Sequence, residues 1–575
     1  MPINTTSTPH FEKPKEGVED TSPSLELDLK DDELIKTIDA LVKESSGTKA
    51  DMDKRGRENE LYWKGNQLNE QKMRPHQSKI VDNRLFMSLE TIIPIMTSRT
   101  PEPTIRMKDD QLKEDTKQLL MNMWEVPTDK CDTEGMQYNV EMISRHWAIY
   151  LIGILKYEYN PEIDDIETTW KKPDKMIFDK NARKFSESRF VGEWCDSTAE
   201  KLIELFPDKK DKIEASVGKN NLMSVIKYIE FWTPKYVVYK YNNILLKKMK
   251  NPNWDYGDMN ESGEPMFNLY PEKKMPFIPL TVFNIGNTVY DDTSLMEQGK
   301  SIQDGVNKRK NQINDNANDN GVLVGSGDFI EKKTLESYTG DPNEKLFIKS
   351  GSAAEAVNRI PPKQLPAFVF SDLQDSKSEI DNIFGAHSTT RGEQTGQKTL
   401  GEAKLLKSGD LGRIDLFSRA LDRVAQEWYT AMLHMYLIYK TEPVEVNTND
   451  EDNTSIIFDR NNFIDPETGK LASIKVKVKP GSAMSIDKDT RRAEAVQLMT
   501  AGLIDPISFY ERMDYANPKE MAMKLFIWQT NPIALFPEMM EEQQQAQIEQ
   551  TGNVPLPEGI QLNLPGGGET PPVTQ

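Results

Sequence analysis

The stretch from about residue 294 to 320 constrains the fold more than any other. Its apolar residues, Leu295, Ile302, Val306, Ile313 and Ala317, form one thin line along an otherwise polar helix. A helix with so narrow a stripe buries little by itself and draws its stability from neighbours. Pro276, Pro279 and Gly286 precede it, and Gly321 ends it. A chain built around such an element is segmented, with much polar surface. The composition agrees: 37% of the 575 residues are hydrophobic and 29% are charged. That length exceeds what one hydrophobic core organises, so two or more domains are expected.

Periodicity places the other elements. Residues 31–68 read as helical, with Leu34, Ile38, Leu41 and Val42 on one stripe and a break near Ser45-Ser46-Gly47. From 78 to 98, Val81, Leu85, Leu89, Ile92 and Met96 share a helical face. Pro94 should kink that helix, and Pro101 and Pro103 should stop it. A helix over 136–149 runs into a strand at 151–159, with strand-like pieces at 167–171 and 189–194. Ser197 and Glu200 have capping-box spacing ahead of a short helix, 199–206. Residues 224–249, rich in Tyr, Val and Ile, predict two strands broken at Pro234. Further strands are expected at 322–324, 345–349 and 472–479, the last alternating Ile474, Val476 and Val478 with Lys475, Lys477 and Lys479. A helix over 366–384 carries Val369, Leu373, Ile380 and Phe384 on one face. The longest helix, 399–440, has an apolar seam of Ile414, Phe417, Leu421, Val424, Trp428 and Met435. Between these two helices, Gly385, Gly392 and Gly396 mark a loop. Residues 487–528 are helical, and Asp505-Pro506 and Asn517-Pro518 open two of their helices. The fold class is α+β, mainly helical.

Chemistry is sparse. Cys131 and Cys195 stand far apart without a CxxC pair, so neither a disulfide framework nor a zinc site is implied, and both read as buried apolar fillers. The five histidines form no metal-binding cluster. Gly325-Ser326-Gly327 lacks the lysine and spacing of a phosphate loop and the geometry of a nucleophile elbow. Asp164-Asp165 and Asp291-Asp292 read as solvated turns rather than metal ligands. No run of about eighteen apolar residues predicts a membrane span. The reading is of a chain that is not an enzyme, with no catalytic residue, no metal and no cofactor.

Local motifs, in order, carry a resemblance. Tyr62-Trp63-Lys64-Gly65-Asn66-Gln67 has an aromatic-x-G-x-Q pattern at a helix end. Asn83-Arg84 follows, then Tyr290-Asp291-Asp292-x-Ser294-Leu295, Gln303-Asp304-x-x-Asn307 and Thr395-Gly396-x-x-Thr399. Two long helices flanking a small segment, then a glycine loop and a longer helix, complete the pattern. The chain resembles the portal, or head–tail connector, proteins of tailed bacteriophages over most of residues 50–530.

That resemblance implies a subunit with named regions. Residues 1–30 would be a flexible arm, 31–293 and 399–486 the wing, 294–320 and 366–384 the two stem helices, and 321–365 the clip. The tunnel loop would be 385–398, the helical crown 487–545, and a disordered acidic tail 546–575. Gly299 and Gly305 depart from the family pattern and should soften the first stem helix. Copies would form a ring, usually of twelve, at one capsid vertex of a virion made in the host cytoplasm. Its partners would be double-stranded DNA in the channel, the terminase large subunit, major capsid or scaffold proteins and tail adaptors, with no membrane. The net charge of -20 argues against tight DNA binding but suits a channel wall that repels phosphate. The tunnel-loop candidates for DNA contact are His387, Arg391 and Lys398. On the stem, Lys308, Arg309 and Lys310 are candidates, although the plainer reading is a solvated face beside Asp304 and Asp315, with Asp304 and Lys308 able to pair. The alternative is another virion assembly protein, a scaffold or head–tail adaptor; the strand block at 224–249 speaks against a scaffold.

Overall fold

The structure is a computed structural model that describes residues 29–68, 77–98, 100–125, 135–218, 221–319, 321–328, 330–338, 347–352, 357–361, 364–387, 390, 400–447, 455–478, 488–513, 515 and 518–530. The chain divides into two compact units, Met1–Ser485 and Ile486–Gln575. Cys131, most of the expected N-terminal arm and the expected acidic tail lie outside the described residues.

The first unit opens with α1, Asp31–Trp63, one continuous helix. The break expected at Ser45-Ser46-Gly47 is absent. Ser46 turns its hydroxyl back to the Lys43 carbonyl, 2.7 Å away, and buried Ser45 accepts the Lys180 N–H. Tertiary packing overrides the weak propensity there. Next come α2, Arg84–Met96; β1, Pro103–Arg106; α3, Asp110–Glu125; and α4, Gly135–Tyr150. Helix α2 is shorter than expected, because residues 78–83 are not helical and Asn83 caps its start by accepting from Phe86 N–H.

An antiparallel block follows: β2, Gly153–Asn160; β3, Asp165–Lys171; β4, Met176–Phe178; β5, Val191–Thr198; α5, Ala199–Leu205; α6, Lys210–Val217; β6, Val225–Trp232; β7, Tyr236–Tyr241; β8, Ile244–Lys250; and β9, Phe277–Leu280. They make a three-stranded sheet, β3-β2-β9, and a five-stranded sheet, β4-β5-β6-β7-β8. Two expectations are corrected here. Residues 225–250 hold three strands, because Asn242 adopts a left-handed φ of 46° and turns the chain a second time. The cap of α5 is Thr198, which accepts from Lys201 N–H; Ser197 sits one residue too early.

A buried ionic knot ties the two sheets together. Lys156 of β2 places its ammonium 2.9 Å from Glu230 of β6, 3.3 Å from Glu193 of β5 and 3.0 Å from Glu158. Burial alone would strip its proton, but Glu230, Glu158 and Glu193 hold its pKa well above the ordinary lysine value.

The remainder of this unit comprises α7, Leu295–Asn318; β10, Val322–Gly325; α8, Lys332–Glu336; β11, Val357–Ile360; α9, Phe368–Phe384; α10, Leu400–Tyr439; β12, Val444–Asn447; β13, Ser455–Phe458; and β14, Lys475–Val478. The seam expected on α10 is entirely buried, and Trp124 meets Trp428 edge to face at 5.4 Å. Strand β14 pairs antiparallel with β1, burying Val476 and Val478 and exposing Lys475 and Lys477.

The second unit holds α11, Lys488–Thr500; α12, Pro506–Arg512; and α13, Pro518–Thr530. Asp505 caps α12 by accepting from Ser508 N–H at 3.0 Å, with Pro506 in the first turn. That arrangement follows the expected Asp-Pro signal.

Two buried histidines make the fold acid-sensitive. His434 on α10 accepts the Leu269 N–H at Nδ1 and faces the Asn253 carbonyl through Nε2, both at 3.1 Å. Burial pushes His434 and His146 down to about 4 from 6.5. The unfolded chain therefore takes up these protons near pH 6.5 and the folded chain only near 4. The stability is complete above pH 6.5 and falls as pH drops toward 4, by roughly 3 kcal/mol per histidine at most. Asp292, whose carboxyl burial raises to about 6, gains stability over the same range, so the histidine share is read as a difference: between pH 7.5 and 4, His434→Gln, which keeps one acceptor and one donor, should lose less stability than the parent, with the His146 share remaining.

Candidate functional site

The region that the resemblance singles out is the helix pair α7–α9, the segment between them and the loop after α9. The start of α7 is built by its motif. Ser294 caps the helix, and Ser294 and Glu297 exchange hydrogen bonds in a capping box. Arg55 of α1 grips Glu297 with two bonds, 2.7 and 2.6 Å. Asp292 is buried and accepts from the N–H groups of Val282, Phe283 and Thr293. Burial pushes its carboxyl up to about 6 despite those bonds. The solvated turn expected at Asp291-Asp292 is thus corrected: Asp292 is an internal tie for the chain entering α7.

The polar face of α7 holds an extended strap. Asp315 accepts from Ser78 N–H at 2.7 Å, Asn311 from Ile80 at 2.7 Å, Asn307 from Asp82 at 3.1 Å and Gln303 from Arg84 at 3.0 Å. The amides of Asn311 and Gln303 donate back to the Ile80 and Asp82 carbonyls. The register has a geometric cause. Four helical residues rise about 6.0 Å and two extended residues about 6.6 Å, so every fourth side chain meets every second backbone unit. Sequence reading followed the apolar line and missed this ladder. The signal was present as Gln, Asn, Asn and Asp at a spacing of four.

Helix α9 returns antiparallel along α7. Arg309 meets Asp372 at 2.6 Å, and both Lys377 and Lys310 reach Asp82 of the strap, at 2.8 and 3.4 Å. Burial would raise the Asp82 carboxyl, but Lys377, with Arg84 and Lys310, holds it below the usual range. Gly299 does not soften α7. It lets Leu85 and Phe384 pack against the helix, since a Cβ there would lie 2.4 Å from Leu85 Cδ2.

Of the three stem candidates, Arg309 and Lys310 are therefore paired within the subunit. Lys308 is exposed and makes no ion pair among the described residues. Its expected partner, Asp304, accepts the Tyr62 hydroxyl at 2.6 Å instead.

The segment between the helices contains β10 paired antiparallel with β11, Val322 opposite Ile360. The strand expected at 345–349 is not found: 347–349 are irregular, 345 and 346 lie outside the described residues, and the partner of β10 is instead β11, which was not foreseen. At the end of α9, Gly385 takes a φ of 67° and the chain turns back. His387 then places Nδ1 2.6 Å from Asp410 of α10 and Nε2 2.9 Å from Asn382. Asp410, buried, also accepts the Thr390 hydroxyl. Arg391 and Lys398 lie outside the described residues.

Among the described residues, Glu193, Cys195 and Glu230 form the one group with metal-ligand spacing, all within 4.8 Å. The ammonium of Lys156 already stands where a cation would, against Glu193 and Glu230. Burial, then Glu193 and Glu230, pushes the Cys195 thiol up to about 12, so it stays protonated. Cys195 is accordingly not an apolar filler but a half-buried thiol beside charged groups.

The antiparallel pair α7–α9 thus carries a small two-stranded tip, and His387 and Thr390 beyond α9 are clasped by Asp410 of α10. The phage P22-like portal protein family matches residues 42–558, and the chain belongs to that family. No curated protein matches it. A solved structure, the neck of an empty GTA particle computed with C6 symmetry, aligns over 74% of this chain and 90% of that chain at 10% identity. Its TM-score is 0.35, a likeness too slight to bear on function.

The ladder is testable by one side chain. Asn311→Ala leaves both backbone groups of Ile80 without partners, at about 1–3 kcal/mol. Hydrogen exchange across 78–84 should quicken; Asn311→Asp, which keeps the acceptor but sets a carboxylate oxygen against the Ile80 and Asn307 carbonyls, should not restore the slow exchange.

Proposed function

We propose that this chain is one subunit of a ring, most simply of twelve copies, at one capsid vertex. Double-stranded DNA is packaged and ejected through its channel. The ring docks the terminase large subunit during packaging and tail adaptors afterwards, and capsid or scaffold proteins hold it in the shell. The observation that carries this reading is the family match across residues 42–558. In this reading α7 and α9 are the stem, 321–365 the clip, 385–398 the tunnel loop, 31–293 and 399–486 the wing and 487–545 the crown.

The role is passive, with energy supplied by a separate motor. The net charge of -20 supports a wall that keeps DNA from adhering. Local cations then do the touching. Lys308, exposed on α7, is the stem residue available for phosphate, because Arg309 and Lys310 serve Asp372 and Asp82. His387, Arg391 and Lys398 belong to the loop, whose root is clasped by Asp410.

Negative-stain microscopy and solution mass of the purified chain should give rings with a central hole and a mass near twelve chains. Filaments or compact dimers would favour a different assembly protein. Removing residues 387–396 should leave rings intact while altering packaging or DNA retention; unchanged values for both would remove the loop from the mechanism.

A further inference from the structure

Helix α10 buries its seam, and its exposed side chains between residues 409 and 430 fall on a single stripe. Arg413, Leu416, Arg419 and Arg423 recur there at helical spacing, and Glu427 closes the stripe. Arg419 pairs with Asp415 of its own helix at 2.6 Å, whereas Arg413 and Arg423 make no ion pair among the described residues. Three arginines in one line run against the net charge of -20, and Leu416, 52% exposed, stands among them.

Helix α9 presents the complement. Phe368, Ser371, Asp375, Glu379 and Asn382 are exposed along one stripe of it, Phe368 by 59%. Asp372 is taken by Arg309, but Asp375 and Glu379 make no ion pair among the described residues. Like charges four residues apart on a helix repel, so this pair is relieved by a cation from elsewhere.

We infer that the two stripes meet between copies of this chain: Asp375 and Glu379 of one subunit pair with Arg419 and Arg423 of the next, and Phe368 and Leu416 add apolar contact at the same interface. This inference rests on the ring reading and specifies a contact within it. Charge complementarity selects the occupant. Asp375 and Glu379 are separated by a rise of about 6.0 Å, as are Arg419 and Arg423, so both carboxylates reach a guanidinium at once. A guanidinium has donors enough for Arg419 to keep Asp415 as well. Among the described residues no ion pair joins the two stripes within one chain. Because they lie on different helices, joining one to the other is a heterologous contact, the kind that repeats from copy to copy and closes rings. Nucleic acid would take the arginines but leave Leu416 wet and the two carboxylates uncompensated, whereas arginine beside large apolar side chains is the composition of protein interfaces.

The test is a charge swap in the full chain: Glu379→Lys and Arg423→Glu, singly and together, with solution mass followed over a dilution series. Each single variant sets like charges against each other and should raise the concentration at which rings come apart by about tenfold or more. The double variant restores the pair with its signs exchanged and should return to within about threefold of the parent. Should reversal impair folding of the dissociated chain, seen as a lowered unfolding midpoint, Glu379→Gln and Arg423→Gln carry the test. Their losses should overlap, the double losing little more than the larger single. Single variants whose rings are as stable as the parent's would overturn the contact, and so would a double weaker than either single. If Arg423→Glu weakens binding of a duplex DNA fragment to intact rings while assembly is unchanged in both singles, the stripe serves nucleic acid and the inference falls. A parent chain that forms no rings would overturn the ring reading, and this contact with it, a result distinct from the others.

Discussion

The rest of the first unit depends on the match between helical and extended repeat along α7. A polar helix of 24 residues is an unpromising centre for a fold. It works because its Gln303, Asn307, Asn311 and Asp315 face satisfies the backbone of residues 78–84, a segment that would otherwise leave donors and acceptors unpaired beside a buried helix. The strap in turn supplies Asp82, which collects Lys310 from α7 and Lys377 from α9. One extended segment thus cross-braces two helices that have few apolar residues to share. Such bracing is directional, where hydrophobic contact is not, so it sets the register of α9 on α7 as well as holding it there.

The two antiparallel sheets that follow α4 use the same tactic with charge. Removing one partner of a buried ion set leaves the others uncompensated, typically at 3–5 kcal/mol. The Lys156 knot therefore adds little net stability, yet it permits only one mutual placement of the two sheets. The same knot explains why a group with metal-like spacing, Glu193, Cys195 and Glu230, is better described as a closed salt bridge with a neutral thiol beside it.

Much of this was legible where one face of one element does the packing. The α10 seam, the α9 stripe and the β14 alternation follow from periods of 3.6 and 2; the α10 seam is buried throughout, while Leu373 of the α9 stripe and Ile474 before β14 are half-buried. Features that depend on a distant partner were not legible. The pairing of β1 with β14 joins residues 103 and 478, and the Ser45–Gly47 stretch stays helical only because packing holds it. Other misses were signals left unread. Asn242-Asn243 is a hairpin turn of ordinary type, and polar residues at spacing four on α7 announce a polar partner as plainly as leucines would announce an apolar one. His387 was read as a loop residue able to meet phosphate; Asp410, which clasps it, lies 23 residues further on, inside a helix read only for its apolar seam.

These choices share a physical logic. The first unit combines a large buried core, to which the α10 seam belongs, with a polar brace along α7. Apolar burial supplies stability without direction, and the directional bonds along α7 fix the register of the strap and of α9.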